Sequence, residues 1–118
     1  MAGNRPHYRL EAWKTAMALV STVYRASQSF PKEENYGLTS QLRRSAISIP
    51  SNIAEGAARY GTKEFAQFLN ISMGSISELE TQLLIAVDLG YLGADDPVFE
   101  QLEQVSRLLT GLHKSVRP

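Results

Sequence analysis

The stretch from Thr62 to Leu89, TKEFAQFLNISMGSISELETQLLIAVDL, decides the fold. Phe65, Phe68, Leu69, Ser72, Ile76, Leu79, Leu83, Ala86 and Val87 recur at three- and four-residue steps, the repeat that lines one face of an α-helix. Thr62 is a suitable N-cap with Glu64 in the first turn, and Gly90 is a suitable stop. At 1.5 Å per residue such a helix is on the order of 40 Å long. Before it, a segment from Leu38 or Thr39 to Tyr60-Gly61 carries Leu42, Ala46, Ile49, Ile53 and Ala57 on one stripe. Pro50 lies inside that stripe. Proline removes one backbone hydrogen bond and crowds the preceding turn, which predicts a kink between Ala46 and Pro50, not two separate helices.

Working outward, Asp95 or Asp96 caps a last helix with Pro97 in its first turn. Phe99, Leu102, Val105, Leu109 and Leu112 face inward there, and fraying is expected near Ser115. A first helix spans about Glu11 to Ser29, with Trp13, Ala16, Leu19, Val20, Val23, Tyr24, Ser27 and Phe30 at helical spacing and Pro31 as its stop. Pro31 to Gly37 reads as a loop, and the polar residues 1–10 read as a flexible tail. Four amphipathic segments with short connections and no alternating pattern predict an all-α domain over residues 11–115. Its expected form is an antiparallel up-down-up-down four-helix bundle with a proline kink in the second helix.

The chain has 118 residues, 43% apolar and 20% charged, which suits one globular domain. It has no cysteine, so disulfides, thiolate metal sites and cysteine nucleophiles are excluded, and a reducing cytoplasm is the expected location. No stretch approaches the roughly 20 apolar residues of a membrane span. The two histidines, His7 and His113, follow no glutamate at the spacing of di-metal carboxylate bundles, so no metal is expected. Isolated glycines and the absence of Gly-Lys-Ser/Thr argue against nucleotide binding and any cofactor. Arg107 and His113 match the Arg-then-His spacing of helical ribonucleases, but on a straight helix they diverge by about 120°. No catalytic constellation remains, and the expectation is a protein that is not an enzyme.

Charge is balanced overall and uneven along the chain. Residues 1–60 hold eight Lys/Arg against four Glu, whereas residues 61–118 hold four against eight acids. Mutual neutralisation within one bundle is the plain reading. The alternatives are attraction between neighbouring copies, or a basic surface for nucleic acid.

Some residues are left over once a core is filled. Ile47, Ala54 and Ala58 lie about 100° from the core stripe of their helix, and Ile71 and Ile85 point off theirs, with Gly74 nearby. Scattered surface hydrophobes need no account. Seams of small and apolar residues along two helices nevertheless mark an oligomer interface. Arg44, Asn52, Glu55 and Arg59 gather on a polar face, where Glu55 can pair with Arg59 one turn on, and Arg43 lies at its edge. Glu80, beside Leu69, Met73, Leu83 and Leu84, requires a cation; Arg43 is the candidate partner for a buried ion pair.

Four strings carry a resemblance: Phe30-Pro31-Lys32-Glu33, Tyr36 to Arg44 (YGLTSQLRR), Ser48 to Gly56 (SIPSNIAEG) and Gly74 to Leu83 (GSISELETQL). With Trp13 and Tyr24, they resemble the bacterial four-helix-bundle family named for proteins encoded in intervening sequences of 23S ribosomal RNA genes. The likeness covers roughly residues 10–114. It implies a homopentameric, barrel-like ring. It also implies kinship with the accessory variability determinant of diversity-generating retroelements, which assists a reverse transcriptase and binds RNA or DNA through a basic surface. On this chain Arg43, Arg44 and Arg59 are the candidates for such contacts. The expected function is therefore a homo-oligomeric interaction or scaffold protein whose partner is itself, with a nucleic-acid-binding accessory factor as the alternative.

Overall fold

The four periodic segments are helical in the computed structural model, which describes residues 5–117. They form α1 (Glu11–Ser27), α2 (Leu38–Ala57), α3 (Thr62–Asp88) and α4 (Pro97–Val116), with short 3-10 turns at Pro6–Arg9 and Lys32–Glu34. No strand occurs among the described residues. No helix among them is long and apolar enough to cross a membrane.

Local chemistry sets the ends. α1 stops two residues earlier than its periodicity predicts: the Ser27 hydroxyl bonds back to the Val23 carbonyl at 2.8 Å, and the chain turns to bury Phe30. α3 begins at Thr62 itself, and the N-cap is Gly61, with no side-chain cap, so the expected Thr62 cap is not formed. At its other end Gly90 has φ +80, Tyr91 N–H reaches the Ala86 carbonyl at 2.9 Å and Gly90 N–H the Val87 carbonyl at 3.0 Å. This paired closure satisfies two orphan carbonyls and requires a residue that tolerates positive φ. α4 is capped by Asp96, whose carboxylate accepts from Val98 N–H at 2.9 Å, with Pro97 in the first turn. Pro50 is buried inside α2, which runs on through it as one helix.

Each helix packs on two others: α1 on α2 and α4, and α3 on α2 and α4. Leu19, Leu42, Ile49, Ile53, Leu69, Leu79, Leu83 and Leu109 are fully buried between them. Each such side chain contributes about 1.5–3 kcal/mol through removal from water. α3 sets the long axis of a molecule 43 × 29 × 22 Å in extent.

The α2–α3 contact is polar at its centre. Ser45 donates to Gln82 Oε1 at 2.9 Å, the Ser48 and Ser75 hydroxyls lie 2.8 Å apart, and Ser72 donates to the Ile49 carbonyl at 2.9 Å. Further along, Gly56 faces Phe65 and Phe68. At one end of the bundle, Glu34 joins two loops: its Oε1 accepts from Leu38 N–H at 3.3 Å and its Oε2 from the Tyr91 hydroxyl at 3.1 Å.

The tail expected over residues 1–10 divides. Residues 1–4 lie outside the described residues, and Pro6–Arg9 form a turn against the bundle. His7 sits 4.8 Å from the Trp13 ring and Tyr8 5.6 Å from it. Aromatic stacking on α1 thus holds a segment whose polarity alone predicts a free end.

Candidate functional site

Two apolar surfaces remain uncovered. α1 and α2 enclose a groove of about 320 Å³ lined by Trp13, Met17, Val20, Ile47, Pro50, Ser51 and Ala54. Ile47 is 42% and Met17 46% exposed, while Ala54 is half-buried against the core and Ala58 lies exposed beyond it. Met17 was not singled out by the spacing of α2. Its position four residues after Trp13 and three before Val20 places it on the same α1 face.

The second surface is the outer face of α3. Ile71 is 51%, Leu84 54%, Ile85 44% and Leu89 53% exposed. Leu84, Ile85, Val87, Thr81 and Asp88 form one shallow patch there. Gly74 is exposed on the same helix, and a Cβ built on it would meet nothing within 4 Å. The candidate interface residues therefore belong to two separate places: Ile47, Ala54 and Ala58 on α2, and Ile71, Gly74 and Ile85 on α3.

The polar candidates divide as well. Between α2 and α3 lies an open cleft lined by Gln41, Arg44, Ser45, Ser48 and Glu78. Arg44 is exposed and makes no ion pair or side-chain hydrogen bond among the described residues. Asn52 turns inward: its amide donates to the Ser48 carbonyl at 2.9 Å and hydroxyl at 3.0 Å, joining the Ser48–Ser75 pair. Glu55 and Arg59 form the expected pair at 3.0 Å, and the Arg59 guanidinium lies 5.1 Å from the Phe68 ring centre. Both side chains are largely exposed, so the pair contributes about 0.3–0.5 kcal/mol.

The buried Arg43–Glu80 pair does not form. Arg43 Nε donates to the Ser27 hydroxyl at 2.9 Å and an Nη to the Tyr24 carbonyl at 3.3 Å, with the guanidinium 4.5 Å above the Tyr24 ring. Glu80 is exposed to solvent on α3. The physical reason is facing: Arg43 lies on the α1 side of α2, away from α3. Its cation is held by hydroxyl, carbonyl and aromatic face, which needs no carboxylate.

Past Ile47 the α1–α2 groove becomes polar and cationic, lined by Tyr24, Asn35, Thr39, Ser40, Arg43 and Arg44. Thr39 is buried there with its hydroxyl unpartnered among the described residues. The remaining titratable feature is at the bundle end, where the hydrogen bond to Glu34, followed by burial, raises the Tyr91 hydroxyl above its ordinary pKa. No cluster of three His, Asp or Glu that would hold a metal occurs among the described residues. Arg107 pairs with Glu103 at 3.7 Å.

A search of curated proteins finds no match. The family model described as 23S rRNA-intervening sequence protein matches residues 8–111, nearly the whole bundle with the apolar groove and the outer face of α3. The chain belongs to the 23S rRNA-intervening sequence protein family.

Proposed function

We propose that the protein is a non-enzymatic homo-oligomer, a ring of five copies acting as an interaction or scaffold protein in the cytoplasm. One observation carries the reading: two extended apolar surfaces, on α1–α2 and on α3, are left to solvent in the single chain. Contiguous exposed apolar area of this kind marks association surfaces. The number five comes from the family resemblance. The chain's lack of cysteine suits a reducing compartment.

The bundle is read as up-down-up-down. The contacts Ser45–Gln82, Ser48–Ser75 and Gly56–Phe68 support this, since the α3 number falls as the α2 number rises. A bend at Pro50 belongs to the same reading, because proline leaves the Ala46 carbonyl without its helical donor. Light scattering on a size-exclusion column tests assembly. A species several times the 13.1 kDa chain supports it, and a monomer at micromolar concentration contradicts it.

The second reading, a nucleic-acid-binding accessory factor, is favoured by exposed Arg44, which has no ion-pair partner among the described residues, beside Arg43 at the cationic end of the groove. Net charge of zero weakens it, because phosphate binding draws on cationic charge and counterion release. Anisotropy of a labelled single-stranded RNA at low and moderate salt separates the two. Affinity that falls with salt supports the second reading, and none at low salt removes it.

A further inference from the structure

The α2–α3 cleft shares no lining residue with either apolar surface, and its walls carry opposite charges. It measures about 440 Å³, a volume within the usual range of small-ligand sites, and is lined by Gln41, Arg44, Ser45, Ser48 and Glu78. Arg44 on α2 and Glu78 on α3 are both exposed, and neither makes an ion pair or side-chain hydrogen bond among the described residues. Two opposite charges thus line one cleft without meeting. Hydroxyls and amides lie alongside them. Ser45 is bonded to Gln82 and Ser48 to Ser75, and Gln41 adds an exposed amide. Gln82 is 8% exposed; its Oε1 is taken by Ser45, while its amide nitrogen is not enclosed and has no partner among the described residues.

The lining restricts what the cleft accepts. A simple anion at Arg44 shares the cleft with Glu78, and a simple cation at Glu78 shares it with Arg44; each arrangement sets like charges together. An apolar molecule finds only polar and charged side chains. A molecule with one charge of each sign satisfies both walls, and a carboxylate meets a guanidinium through two parallel hydrogen bonds. An exposed pair formed by Arg44 and Glu78 themselves contributes little, so a ligand that engages both competes with it.

We infer that the α2–α3 cleft binds a free amino acid, its carboxylate on Arg44 and its ammonium on Glu78. The site adds a small-molecule ligand to a protein otherwise read as a scaffold.

Saturation-transfer NMR on the full chain tests this with each common L-amino acid at about 10 mM, which nearly saturates a site of Kd near 1 mM. At least one is expected to bind, and Arg44→Gln and Glu78→Gln are each expected to weaken it about tenfold, the effect of losing a hydrogen bond to a charged group. Both positions are exposed, and circular dichroism checks that the variants keep their helices. Derivatives of the bound amino acid test the wild type directly. The N-acetyl form, which lacks the ammonium, is expected to bind Glu78→Gln more tightly than wild type. The carboxamide form, which lacks the carboxylate, is expected to prefer Arg44→Gln in the same way. The inference is overturned if no amino acid binds, if either variant binds it as tightly as wild type, or if the derivatives bind wild type as well as the free amino acid does.

Discussion

Gly56 of α2 and Phe68 of α3 approach so closely that a Cβ built on the glycine would lie 2.7 Å from the phenylalanine Cβ. The Phe65 ring, at 3.0 Å, and the Phe65 carbonyl, at 3.3 Å, close the same site. None of these is the free end of a flexible side chain. An added methyl must push α2 and α3 apart at this point.

Gly56→Ala is therefore expected to destabilise the fold by about 1–2 kcal/mol, overpacking outweighing the gain in helix propensity. Gly111→Ala in α4 supplies the opposite sign, because its Cβ would meet nothing within 4 Å. That substitution is expected to stabilise by about 0.5–1 kcal/mol. Urea unfolding of both variants checks the pair; equal effects would show that Gly56 is not a packing glycine.

Arg43 is held by α1, and a double-mutant cycle reads this directly. Arg43→Met combined with Ser27→Ala is expected to show a coupling of about 0.5–1.5 kcal/mol, the range for one ordinary intramolecular hydrogen bond, because solvent screens the partly exposed guanidinium. Arg43→Met combined with Glu80→Gln is expected to show none. Coupling in the second cycle would restore the ion pair that the geometry excludes.

Tyr91 binds Glu34 across the bundle end, and its hydroxyl titrates above the ordinary value near 10. The sign follows from linkage: the unfolded chain loses this proton first, so the native contribution is full below about pH 10 and is lost as pH rises through the higher folded value. Thermal unfolding of the wild type is expected to fall more steeply than that of Tyr91→Phe above about pH 10. Parallel curves would mean that the hydroxyl carries no alkaline sensitivity.

Periodicity located the helices and most of the core: Leu42, Ile49, Ile53, Leu69, Leu79 and Leu83 are buried as their spacing predicts. It could not say which neighbour a residue at the edge of a stripe would face. Arg43, at such an edge, reads as a partner for Glu80 on α3 and lies against α1. The close approach at Gly56 was equally hidden, since a glycine in a helix reads as a weak point until the opposing phenylalanines are placed. Of the assembly candidates, Ile47, Ile71 and Ile85 were visible as apolar residues off the core stripe. Met17 and the continuity of the groove depended on how α1 and α2 pack.

Sedimentation velocity across a range of protein concentrations reads the assembly state of the protein. Five copies of the 13.1 kDa chain predict a single species near 65 kDa that persists on dilution. A single 13.1 kDa species at every concentration would rule out assembly.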